Sequence, residues 1–177
     1  MGYSPDRHHR KSIRLKEYDY KKEGKYYITI CTINRECLLG DISDGKMILN
    51  EYGNIVLKSW KWLSEQYSYI TLDETVIMPN HLHGIIIITN LCRGGSRTAP
   101  TGEDIKYKPL GRLIGAFKTV STKNINQIRN MPEIPFWQRN YYERIIRDEK
   151  DLNKIREYIK NNPLKWELDE ENLNRKK

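Results

Sequence analysis

Two histidines one residue apart, His81 and His83, stand at the mouth of the apolar run Ile85-Ile86-Ile87-Ile88. Alternate residues of a strand project from the same face. The two imidazoles therefore point together, and Leu82 points away. Two imidazoles side by side make half of a metal site. Far downstream, the segment Glu157-Tyr158-Ile159-Lys160-Asn161-Asn162-Pro163 could supply the rest. Taken alone, a His-x-His pair is more often two satisfied core or surface histidines than a pair of ligands. The setting argues the other way. Residues 85–88 read as a strand buried on both faces, and imidazoles at the edge of so apolar an element need partners, because unpaired burial is costly.

Tyr158 and Asn162 lie four apart in a segment with helical spacing, so they sit one above the other on the same side. Tyr158 is offset by one position from the inner stripe Leu152, Ile155 and Ile159, which leaves its ring at the edge of the buried face. An ordinary boundary tyrosine fits this as well, and the chain has 12 tyrosines. Asn162 equally fits a plain C-terminal cap.

The elements that must position these groups follow from periodicity and turn chemistry. Residues 26–33 read as a first strand, and residues 41–45 carry turn chemistry. Residues 46–49 are a short second strand, and Asn50 suits a helix N-cap. Tyr52, Ile55, Val56, Ser59, Trp60, Leu63 and Tyr67 then recur at helical spacing, an aromatic stripe destined for the core. Residues 72–78 and 81–89 read as strands broken at Pro79-Asn80. Residues 90–108, with Gly94-Gly95, Pro100 and Gly102, form a long mobile loop. Pro109 suits the first turn of a second helix. Leu110, Leu113, Ile114, Phe117 and Val120 trace its inner face, while Arg112, Lys118 and Lys123 trace the outer one. Phe136 to Glu143 form an aromatic block, and Asp148 starts a last helix that Pro163 ends.

The 177 residues fit one domain, expected over residues 23–166, with a basic arm at 1–22 and a charged tail at 167–177 that has little to bury. Arginine and lysine total 31 against 23 acidic residues, a net charge of +8. That excess suits a polyanionic partner, most often nucleic acid, although plainly basic soluble proteins share it. The arm, with Arg7, Arg10, Lys11 and Arg14, reads equally as a disordered terminus or as a phosphate-contacting segment. Cys31, Cys37 and Cys92 are odd in number and lack Cys-x-x-Cys spacing, which argues against a disulfide framework and a structural zinc ribbon. No apolar run approaches the roughly 18 residues of a membrane span, and the N-terminus has no apolar signal core. A cytoplasmic protein with no membrane partner is expected.

Met78-Pro79-Asn80-His81-Leu82-His83 resembles the HUH motif of the Y1 single-strand DNA transposases. Trp137-Gln138-Arg139-Asn140-Tyr141, then Asp148-Glu149-Lys150-Asp151, then Tyr158-Ile159 with Asn162-Pro163, resemble the C-terminal block of the REP-associated tyrosine transposases in the IS200-like family. Arg10-Lys11-Ser12-Ile13-Arg14-Leu15 with residues 26–35 is similar to their N-terminal region. The likeness covers roughly residues 7–168. It implies an α+β, ferredoxin-like fold, the HUH endonuclease fold, with helices packed on an antiparallel sheet. It implies that Tyr158 is the nucleophile and that His81, His83 and Asn162 hold a divalent metal. Two imidazoles and an amide oxygen suit Mg2+ or Mn2+.

The implied reaction is attack of the tyrosine on a phosphodiester of single-stranded or imperfect-hairpin DNA, giving a 5'-phosphotyrosine and a free 3'-hydroxyl. Lys118, Lys123, Arg139 and the basic arm are the expected backbone contacts. Tyr26, Tyr27, Trp137, Tyr141 and Tyr142 are candidates for stacking on bases, with core packing preferred for Trp137. A monomer, with the tyrosine helix acting in cis, is expected rather than a helix-swapped dimer. The rival reading is a DNA-binding protein that keeps this fold without turnover. A phosphodiesterase with two His-x-Thr or His-x-Ser motifs fails for want of a second pair. A zinc hydrolase fails because no third His, Cys or carboxylate stands at ligand spacing near His83.

Overall fold

The computed structural model describes residues 23–89 and 107–173. The elements run β1 (Gly24–Cys31), β2 (Gly40–Ser43), β3 (Lys46–Leu49), α1 (Glu51–Gln66), β4 (Ile70–Ile77), β5 (His81–Ile88), α2 (Leu110–Ile128), β6 (Tyr142–Ile146) and α3 (Glu149–Asn161). Short 3-10 turns cover Ile33–Arg35 and Pro163–Leu168. Four strands form an antiparallel sheet in the order β4-β5-β1-β6. With α1 between β1 and β4 and α2 between β5 and β6, this is the ferredoxin-like arrangement that the HUH resemblance implies. The hairpin β2-β3 stands apart from that sheet.

Strand alternation sorts the side chains into two layers. Tyr26, Ile28 and Ile30 of β1 and Leu82, Ile86 and Ile88 of β5 meet Val56, Trp60 and Leu63 of α1 and Leu113, Ile114 and Phe117 of α2. The opposite face carries Tyr27 and Ile85, which pack with Ile146 against Leu152, Ile155 and Ile159 of α3. His81 and His83 share this second face. α1 and α3 begin where sequence chemistry places them: Asn50 caps α1 by accepting from the Gly53 amide, and Asp148 caps α3 by accepting from the Asp151 amide at 2.7 Å.

Several expectations change. The turn expected at 41–45 is shorter, because residues through Ser43 pair with β3 and only Asp44-Gly45, both at positive φ, turn the chain. The strand β4 begins at Ile70 rather than residue 72. The strand β6, which no expectation covered, pairs with β1 at the sheet edge. Tyr26 is fully buried on the α1/α2 face and cannot stack on a base. Trp137, also buried, donates from Nε1 to Ser121 Oγ, as core packing required. The tail does bury side chains: Asp169 and Asn172 are both under a tenth exposed. The basic arm, Cys92 and nearly all of the expected mobile loop lie outside the described residues. Among the described residues, no helix is long and apolar enough to cross a membrane.

Candidate active site

β5 and β1 place the histidines. In the antiparallel register His83 pairs with Thr29 and His81 with Cys31. The turn before β5 is locked by backbone bonds: the amides of Thr32 and Leu39 donate to the carbonyls of Asn80 and Pro79, both at 2.9 Å. Trp60 of α1 presses so closely on the strand that only glycine fits at position 84. A Cβ there would lie 2.6 Å from Trp60 Cζ2.

Each imidazole is held by its Nδ1. Asn80 Nδ2 donates to the carbonyls of Arg35 and Glu171, so its Oδ1 must face His81 Nδ1, 2.8 Å away. That oxygen can only accept, which places the His81 proton on Nδ1 and leaves Nε2 as a lone pair. His83 Nδ1 lies 2.7 Å from the Tyr27 hydroxyl and 2.9 Å from Thr29 Oγ1. The Tyr27 ring also stacks on His83, with centroids 5.4 Å apart. The two Nε2 atoms then converge at 3.0 Å. Both rings are buried. Burial lowers the His81 pKa to about 4 against a partial opposing pull from Asp169, and burial with the neighbouring His81 takes His83 well below its ordinary value. Both are neutral near pH 7, the form that ligates metals.

α3 brings Tyr158 over this pair. Its hydroxyl lies 3.4 Å from His83 Nε2, and its ring is 47% exposed, edge-on to Tyr27 at 6.2 Å. Burial first, then the Asp169 charge, raises the Tyr158 pKa, which favours the protonated hydroxyl. Asn162 is buried at the end of α3. Its Nδ2 donates to Asp169 Oδ2 at 2.9 Å, and its Oδ1 is buried with no hydrogen-bond partner.

Asp169 was not among the expected residues. Its carboxylate lies close enough to both imidazoles that ligand atoms of all three residues fall within 4.8 Å of one another. The expectation that no third carboxylate comes near His83 is therefore corrected: the 3-10 turn after Pro163 carries Asp169 back to the sheet. Asn80 was also missed as an orienting residue, although it stood in the quoted motif. No periodicity in the charged tail marks Asp169.

A cleft of about 810 Å³ opens over the site, lined by Tyr27, His83, Tyr158, Asn162 and Asp169. Arg144, Lys154 and Lys165 are the cations at its walls, and none stood out in the sequence. The expected cations Lys118, Lys123 and Arg139 gather instead in a separate cleft of about 890 Å³ between α2 and residues 130–139, which contains neither histidine. Lys118 is half-committed there: its Nζ donates to the carbonyls of Gln138 at 2.8 Å and Asn140 at 3.0 Å. Tyr142 is exposed near the site, edge-on to Tyr27 at 6.2 Å, and Tyr141 packs instead on the α1/α2 core.

A buried imidazole pair and a tyrosine hydroxyl open to a cleft thus meet on an antiparallel sheet with helices on both faces. Comparison with known proteins finds relatives in sequence and in fold. An uncharacterised protein of Haemophilus influenzae is 43% identical over 174 residues, covering 95% of this chain and 96% of its own. A putative REP-associated tyrosine transposase of the same organism is 27% identical over 151 residues, covering 83% of this chain and 74% of its own. A solved structure of a REP-associated tyrosine transposase bound to a REP hairpin superposes with a TM-score of 0.59 at 18% identity, over 88% of this chain and 74% of the other. No family model matches the chain. The chain is thus similar in sequence to a putative REP-associated tyrosine transposase and shares its fold with a solved one.

Proposed function

We propose that this protein is a metal-dependent endonuclease and strand transferase acting on single-stranded or hairpin DNA, with Tyr158 as the nucleophile. The observation that carries the reading is the position of the Tyr158 hydroxyl, in an open cleft and 3.4 Å from the Nε2 of a histidine whose own partner is 3.0 Å away. A solved relative bound to a REP hairpin supports hairpin DNA as the substrate class.

The residues fit a divalent ion. Two ligand atoms about 2.1 Å from one ion and at right angles lie roughly 3.0 Å apart, which is the spacing of the two Nε2 atoms. The orphaned Asn162 Oδ1 is a buried oxygen in want of a positive partner. Mg2+ or Mn2+, held by His81, His83 and Asn162, would neutralise the phosphate and favour the phenolate that burial and Asp169 oppose. The chain's own groups do the rest. Asn80, Tyr27 and Thr29 fix the imidazoles, so no reorganisation is needed when DNA arrives. α3 holds the tyrosine oxygen over them. Tyr158 Oη displaces the 3'-oxygen at phosphorus, forming a 5'-phosphotyrosine, and the departing 3'-oxygen takes a proton. Attack by another 3'-hydroxyl reverses the step and rejoins strands without an external energy source. Arg144, Lys154 and Lys165 receive the flanking phosphates, with Lys123, Arg139 and the arm residues Arg7, Arg10, Lys11 and Arg14 farther along the strand. In this reading the protein acts as a monomer with α3 in cis, in the cytoplasm.

The test is a labelled imperfect hairpin with Mg2+ or Mn2+, resolved under denaturing conditions. A protein–DNA adduct is expected on the peptide containing Tyr158, and none in Tyr158→Phe, in His81→Ala or with excess EDTA. An adduct on Tyr141 or Tyr142, or full cleavage in EDTA, contradicts the assignment.

A further inference from the structure

Asp169 has an electrostatic problem that the site as described leaves unsolved. Its side chain is 8% exposed. Its oxygens accept from the Glu171 amide at 2.7 Å and from Asn162 Nδ2 at 2.9 Å, both uncharged donors. Among the described residues no ion pair reaches it, and the groups it faces are two histidines, Tyr27 and Tyr158. A buried carboxylate without a cation is costly. Beside it, Asn162 Oδ1 is a second buried acceptor with nothing to accept from. The Asp169 carboxylate and the two imidazoles thus come within 4.8 Å of one another with no cation among them. A cation among these three would satisfy them at once, and the neighbouring Asn162 Oδ1 is the acceptor that could join them.

Resting on the reading of the histidine pair as a metal centre, we infer that Asp169 is a ligand of that centre. Its carboxylate joins His81, His83 and the Asn162 amide oxygen, so the ion is held by two imidazoles, one carboxylate and one amide. The hydrogen bond from Asn162 Nδ2 to Asp169 Oδ2 also fixes the amide's orientation. The nitrogen is committed to the carboxylate, so the oxygen must be the atom turned elsewhere. Asp169 thereby does two things, supplying negative charge and presenting Asn162 oxygen-first. Two imidazoles with one carboxylate suit Mn2+ better than Mg2+, which prefers an all-oxygen shell.

The experiment titrates Mn2+ alone into the full chain and follows free Mn2+ by electron paramagnetic resonance, without DNA. The wild type is expected to bind one ion. Asp169→Asn, which keeps the shape and removes the charge, should weaken binding by 10-fold or more, as should His81→Ala. Unchanged affinity in Asp169→Asn alongside loss in His81→Ala overturns this inference and leaves the proposed centre standing. Unchanged affinity in His81→Ala and His83→Ala overturns both. A second variant covers the case in which Asp169→Asn fails to fold. With Cys31, Cys37 and Cys92 changed to Ser, Asp169→Cys with Cd2+ should show a thiolate-to-metal ultraviolet band that is missing in the cysteine-free parent and after adding His81→Ala. Absence of that band in the folded Asp169→Cys variant rules out direct ligation.

Discussion

His83 Nδ1 is served by two hydroxyls, and that redundancy makes a quantitative prediction. Tyr27 Oη lies 2.7 Å away and Thr29 Oγ1 2.9 Å away, and both residues are under a tenth exposed. Tyr27→Phe keeps the ring stacked on the imidazole, and Thr29→Val keeps the volume. Either change removes one hydrogen bond and leaves the other, at a cost of about 1 kcal/mol. The double variant leaves a buried ring nitrogen with no partner, which adds roughly 1–3 kcal/mol. The double loss should therefore exceed the sum of the single losses, about 2 kcal/mol, by that amount. Urea unfolding with EDTA present measures all four corners of the cycle independently of any metal. In the same series Mn2+ affinity should fall little in the single variants and about 10- to 100-fold in the double. Additivity to within roughly 0.5 kcal/mol would show that the two hydroxyls do not share one nitrogen, and would refute the reasoning.

The histidines also set the acid limit of the apo protein. Their folded pKa values lie below the ordinary value of about 6.5, with His81 at about 4. The unfolded chain therefore binds protons that the fold refuses, and stability is full above about pH 6.5 and falls as pH drops toward 4. Urea midpoints measured across that range should decline less steeply in His81→Gln/His83→Gln, and equal slopes would count against neutral burial. Gly84→Ala should cost about 1–3 kcal/mol through the Trp60 ring 2.6 Å from the new methyl. Wild-type stability in that variant would mean that Trp60 yields freely.

The central elements were legible because their residues obey one period at a time. The alternation His81, His83, Ile85 on one face and Leu82, Ile86, Ile88 on the other follows from strand geometry alone. The same alternation groups Tyr26 with Ile28 and Ile30, so its burial was readable from its neighbours. β6 was hidden by its half-exposed edge position, where Tyr142, Glu143 and Arg144 give no apolar rhythm. Asp169 could not be read at all. It sits among charged residues, and its meeting with His81 depends on how the chain turns after Pro163, which is a tertiary fact. Lys118 looked like a free cation on a polar helix face, yet the loop it caps lies some twenty residues on.

The docking of α3 divides the centre between two parts of the chain. The sheet owns the histidines, whereas the segment from Asp148 onward brings Tyr158, Asn162 and Asp169 together. What joins the parts is a stripe of three buried aliphatic residues, Leu152, Ile155 and Ile159, with the half-buried pair Arg156–Asp73, the more exposed pair Lys160–Glu74 and the bonds that Asn80 and Arg35 make to Glu171 beside it. Each aliphatic contributes at most about 1.5–3 kcal/mol, and the ion pairs weaken with salt. The α3 cluster buries fewer residues than the α1/α2 core, so α3 is expected to open before that core unfolds. Tyr158 and the imidazoles then part as whole rigid pieces. A strand already joined to Tyr158 would leave the sheet with the helix, so a moderate opening is enough to carry one DNA end away from the other.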